Sequence, residues 1–117
     1  MTTIKVHILF WLITLFAQVH GVDPEFAKAV AIVESRLPGK ATLRTGRLGR
    51  SKFFGPMGVH QCFLKKWPID NPVWNIYVGV RALRGRPWRK VLHRYNPEAT
   101  PAYIKAVRSV WRGLEGE

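Results

Sequence analysis

Glu34 is the acidic residue least easily read as solvated surface. Phe26, Ala27, Val30 and Ala31 are spaced to form the apolar face of one helix. Glu34 follows Val30 by four positions and Ala31 by three, so it falls on that same face. Its neighbours Ile32 and Val33 are apolar as well. A carboxyl set against apolar surface loses hydration, which favours its neutral form. That suits a general acid working near neutral pH. A glutamate close to a helix end is more often solvated, so position alone leaves both readings open.

Two further clusters offer chemistry. Gly55-Pro56-Met57-Gly58-Val59-His60-Gln61 has glycines flanking a proline, which lets backbone approach a ligand closely, and Gln61 brings an amide donor and acceptor suited to a sugar. Read without function, it is a turn. Tyr95-Asn96 places a phenol beside an amide, able to orient a carboxyl or a sugar amide; its bland reading is a core tyrosine with a wet tip. Asn75, on the less apolar side of its helix, is expected to be solvated or functional with equal weight. Metal chemistry lacks ligands: beyond residue 21 the only histidines are His60 and His93, and no HExxH or paired cysteines occur. No metal is therefore expected. The lone Cys62 has no surroundings that mark a nucleophile, and is expected as a small buried apolar residue.

The elements that must position these groups are helical. Asp23-Pro24-Glu25 is a cap, a first-turn proline and an acid at the positive helix end, predicting a helix to about Arg36. Residues 38–56 are rich in glycine and positive charge, with no helical period; they read as a surface loop or as the rim of a binding cleft, with room for a small irregular hairpin. Met57 to Trp67 predicts a short helix ended by Pro68. Asp70-Asn71-Pro72 opens another, carrying Val73, Ile76, Tyr77, Val80 and Leu83 and stopping at Gly85. Trp88, Val91, Leu92 and Tyr95 share one face of a fourth, broken by Asn96-Pro97. Thr100-Pro101 starts a fifth, striped by Tyr103, Val107, Val110, Trp111 and Leu114. The expectation is an all-α domain of about five helices over residues 22–117.

Residues 1–21 read differently. Lys5 and His7 precede the apolar run from Ile8 to Ala17, followed by Gln18-Val19-His20-Gly21, the pattern of an export signal cut after Gly21 or Ala17. The run is short for a membrane span, which needs roughly 20 apolar residues; if uncleaved, it would anchor the chain. Of 19 Lys and Arg only Lys5 lies there, leaving 18 against 7 acidic residues. Such a surface adheres to anionic polymers, and for an exported chain envelope polymers are favoured over nucleic acid.

Taken in order, these segments resemble the catalytic domain of the soluble lytic transglycosylase (SLT) family, which has a lysozyme-like fold. "VDPEFAKAVAIVESRL" resembles its first motif, with Glu34-Ser35 as the Glu-Ser pair. "GPMGVHQ" resembles its Gly-Leu-Met-Gln motif, with Gly58 and Gln61 at the fixed ends, although Val59 and His60 stand where the family has leucine and methionine. "NIYVGVRAL" is similar in the spacing of Asn75, Ile76, Gly79 and Leu83, "RYN" resembles the Ala-Tyr-Asn motif through Tyr95 and Asn96, and "AYIKAVRSVW" looks like the closing helix.

The resemblance implies an all-α domain within the α+β lysozyme-like superfamily, acting as a monomer on peptidoglycan in the periplasm or wall. Glu34 would protonate the glycosidic oxygen between N-acetylmuramic acid and N-acetylglucosamine. It would then act as base toward the muramic 6-hydroxyl, leaving a 1,6-anhydro end. Ser35, Gly58, Gln61, Tyr95 and Asn96 would bind substrate or orient Glu34, with His60 filling space or adding a titrating group to the cleft wall. The acids beyond residue 21 are Asp23, Glu25, Glu34, Asp70, Glu98, Glu115 and Glu117, and no second one is placed as a catalytic partner, unlike the usual carboxylate pair of glycosidases. A water-using muramidase of the same fold and a non-catalytic cationic envelope binder are the alternatives. Phage lysis or entry, or a secretion or conjugation machine, would be the setting.

Overall fold

The computed structural model describes residues 3–35, 42–44, 47–48, 50–54, 57, 59–60, 63 and 71–116. Among them the chain is mostly helical. α1 (Val6–His20) and α2 (Pro24–Ser35) are joined by a tight corner. Gly21 takes the left-handed conformation, with φ at 66°, and the Val22 amide donates to the Ala17 carbonyl at 2.9 Å, closing the end of α1. Asp23 then opens α2, its Oδ1 accepting from the Glu25 amide at 2.9 Å, as its sequence predicts.

α3 (Pro72–Ala82), α4 (Trp88–Tyr95) and α5 (Pro101–Glu115) complete the helices. Asn71 caps α3 by accepting from the Val73 and Trp74 amides, with a proline in the first turn. Thr100 caps α5 through the Tyr103 amide. Each such cap is worth about 1 kcal/mol. The end of α3 is held from outside, because Arg94 donates to the Ala82 carbonyl at 2.9 Å and also to that of Arg84.

Five short strands accompany the helices: β1 (Thr3–Lys5), β2 (Thr42–Arg44), β3 (Arg47–Leu48), β4 (Arg50–Phe54) and β5 (Val59–His60). β3 and β4 form the small irregular antiparallel hairpin expected in the basic segment, with a register shift at Arg47/Leu48. β1 pairs with β2, which no local pattern announced. The helix expected from Met57 does not form at its start. Val59 and His60 pair instead with Phe54 and Phe53 as strand β5. β-Branched Val59 beside an aromatic partner strand favours that pairing, which a local reading of periodicity does not contain. The rest of that expected helix, except Phe63, lies outside the described residues. Among the described residues, four helices lie in residues 22–117 and a fifth is α1.

The core is assembled between helices. α2 packs chiefly on α5 and also on α1, and α1 lies along α3. Leu9, Leu12, Ile13 and Ala17 of α1, Ala27, Val30 and Ala31 of α2, Ile76 and Val80 of α3, and Val107 of α5 are buried together. α1 is thus an integral part of this core. Asn75, expected to be solvated or functional, is fully buried; its amide donates to the Asn71 carbonyl at 2.9 Å, tying the first turn of α3.

Gly79 shows why α3 requires a residue without a side chain at its middle. A Cβ there would lie 2.9 Å from Met57 Sδ, 3.1 Å from Val59 Cγ2 and 3.3 Å from Met57 Cβ. At Gly113 in α5 an added Cβ meets nothing within 4 Å. Opposite signs are therefore expected in chemical denaturation. Gly113→Ala stabilises by about 1 kcal/mol through helix propensity. Gly79→Ala destabilises, because overpacking of about 1–3 kcal/mol offsets the same gain.

Candidate active site

Glu34 stands in the last turn of α2, half-buried, one helical turn beyond the buried Val30 and Ala31. The Tyr103 hydroxyl, from the first turn of α5, donates to its Oε2 at 2.6 Å. A bond this short between a hydroxyl and a carboxylate is among the stronger hydrogen bonds in proteins, and it fixes the plane of the carboxyl. Helix packing makes it possible: α2 and α5 lie against each other, and further along them Phe26 and Trp111 meet in a tilted ring contact at 4.9 Å.

Tyr103 is built to remain a donor. Burial holds its phenol far above the ordinary value, and the Glu34 charge and hydrogen bond push it further in the same direction; the Asn96 side chain, hydrogen-bonded to it, pulls the other way. Tyr103 therefore stays neutral across any pH at which the protein is folded. Asn96 is itself nearly buried, with Oδ1 accepting from the Glu98 amide at 3.0 Å. A chain of contacts thus runs from the turn after α4, through Asn96 and Tyr103, to Glu34.

Tyr95, which the motif implies binds substrate or orients Glu34, is placed in the core. It is fully buried, and its hydroxyl donates to the Met57 carbonyl at 2.7 Å. Burial first, and then the Glu34 charge, raise its phenol well above the ordinary value. Tyr95 and Gly79 both meet Met57, and Gly79 meets Val59 as well: one by a buried hydrogen bond, the other by close approach. Three of the spaced motifs are in this way one packing unit.

Of the remaining sequence-predicted site residues, Ser35 ends α2 and the backbone of His60 pairs in β5, but their side chains lie outside the described residues, as do Gly58 and Gln61. His93 is exposed on α4, as a surface position. Tyr103 is the functional candidate that sequence reasoning missed, having been placed only as part of an apolar stripe. The signal was its hydroxyl. A phenol on an otherwise apolar face seeks a polar partner, and Glu34 is the one acid that the helical periodicity sets on an apolar face.

Arranged this way, the site can present one oriented carboxyl to a bond that needs a proton, with neutral donors behind it. No family model, curated protein or solved structure matches this chain.

Proposed function

We propose that the chain is a peptidoglycan lytic transglycosylase of the lysozyme-like type, with Glu34 as both acid and base. The observation that carries this reading is the Tyr103–Glu34 hydrogen bond of 2.6 Å on a half-buried carboxyl. With Oε2 accepting from Tyr103, the proton of the neutral acid belongs on Oε1. That proton passes to the glycosidic oxygen as the bond to muramic C1 breaks, releasing the glucosamine end with its 4-hydroxyl. The carboxylate then takes the proton of the muramic 6-hydroxyl as O6 bonds to C1. Glu34 ends protonated, and no water is consumed.

A single carboxylate suffices because the nucleophile belongs to the substrate, in contrast with the paired carboxylates of glycoside hydrolysis. Holding the 6-hydroxyl and C1 in reacting geometry converts the second step into an intramolecular one, where proximity contributes most. The proposed place of action is the wall, where a chain of net charge +12 is drawn to anionic envelope polymers.

Digestion of intact sacculi with mass analysis of the products tests the reading. The expected muropeptides end in 1,6-anhydromuramic acid. Reducing muramic ends would replace it with a water-using muramidase, and binding to sacculi without any release of fragments would make the protein an envelope binder.

A further inference from the structure

The helix that fills one side of the core is apolar on its other side as well. Leu9, Leu12, Ile13 and Ala17 of α1 face inward and are buried. Ile8, Trp11, Leu15 and Val19, spaced by three, four and four, form a single outward stripe, with Trp11 65 % and Val19 63 % exposed. The patch continues beyond α1. Phe16 contacts Tyr77 edge-on at 5.2 Å, Tyr77 contacts Trp74 at 5.5 Å, and Trp74 and its neighbour Val73 are exposed at the start of α3.

The helices that carry it bring positive charge and no negative charge. Neither α1 nor α3 contains an acidic residue. At the C-terminal end of α1, His20 lies within the field of Arg81 and Arg84, both exposed on or beside α3. A stripe of Ile, Trp, Leu and Val bordered by arginines, with indoles at two points, has the chemistry of the bilayer interface, where tryptophan settles among headgroups and arginine meets lipid phosphate. The geometry does not suit spanning. α1 has 15 residues, about 22 Å of helix against roughly 30 Å of hydrocarbon, and among the described residues no helix is long and apolar enough to cross a membrane.

We propose that the outward face of α1, together with Val73 and Trp74, is a docking surface for an anionic lipid bilayer, on which α1 lies in the plane of the interface. The occupant is a bilayer surface because the two helices that carry the stripe hold no acidic residue, while exposed Arg81 and Arg84 stand beside it. This inference is independent of the reaction at Glu34, which sits on a different helix.

Co-sedimentation of the full chain with vesicles tests it, using phosphatidylcholine mixed with phosphatidylglycerol and phosphatidylcholine alone. The chain is expected to pellet with the anionic vesicles. Trp11→Ser with Val19→Ser should weaken that binding about tenfold or more, with helical content unchanged by circular dichroism. Arg81→Ala with Arg84→Ala should weaken binding to anionic vesicles about tenfold and remove the preference for them. Glu34→Gln should bind as the parent does, which separates this surface from the catalytic reading. Several results would overturn the proposal: no pelleting with either vesicle, binding unaffected by the stripe variant, or cellular protein that begins after Ala17 or Gly21. So would a concentration-dependent dimer that the stripe variant abolishes, because the face would then belong to a second copy of the chain.

Discussion

Glu34→Gln is expected to abolish sacculus lysis while leaving the fold intact. The substitution preserves shape, and the amide oxygen can still accept from Tyr103, so the α2–α5 contact keeps its hydrogen bond. What disappears is the proton. An amide neither protonates a glycosidic oxygen nor takes up the proton of a 6-hydroxyl, and general acid–base contributions are typically 10²–10⁴-fold. Because one group is proposed to serve both steps, the loss should fall at the upper end of that range, read as the rate of turbidity decrease. Thermal unfolding of the variant should lie close to that of the parent. Lysis at the parent rate from well-folded Glu34→Gln would remove this residue from the chemistry.

The helical frame was legible because its signals are local. Asp23 and Thr100 sit where a cap was expected, and within Asp70-Asn71-Pro72 the cap is Asn71; each is followed by proline and accepts from its own first turn. Glu34 was legible for the same reason: four-residue spacing places it on the face of Val30 regardless of what packs there. Three features were not legible, and each depends on a partner distant in sequence. β5 forms because Phe53 and Phe54 are available to pair with it. Asn75 is buried on a helix that packs against α1 and β5, both distant from it in sequence. α1 read as an export signal from its basic head, apolar run and small residues, and in the full chain its Leu9, Leu12, Ile13 and Ala17 also join the core. The motif around Tyr95 is local, and what it packs against is not. A spacing of types says that Tyr95 and the glycine-rich segment belong together, whereas the direction of the hydroxyl, toward the Met57 carbonyl, belongs to tertiary structure.

Tyr103→Phe should lower the rate of lysis about ten- to a hundredfold, a loss from orientation, because misplacement of a reacting group by about 1 Å costs on that order. Removal of the hydroxyl frees the carboxyl plane that the 2.6 Å bond holds. It also has a directional effect on pH dependence. A hydroxyl donating to Oε2 stabilises the charged carboxyl over the neutral one. Without it the neutral form persists to higher pH, so the alkaline limb of the activity profile, where the acid is lost, should move upward in pH. Tyr103 cannot itself produce that limb, because burial and the Glu34 charge keep its phenol protonated far into the alkaline range. Tyr95→Phe is the contrasting case. It leaves the buried Met57 carbonyl without its donor, and should cost about 1–3 kcal/mol of stability with the alkaline limb unmoved. A shift of the limb in Tyr103→Phe and none in Tyr95→Phe would mark the first tyrosine as positioning the acid and the second as positioning the segment beside it. Equal behaviour of the two would mean that both act only through packing.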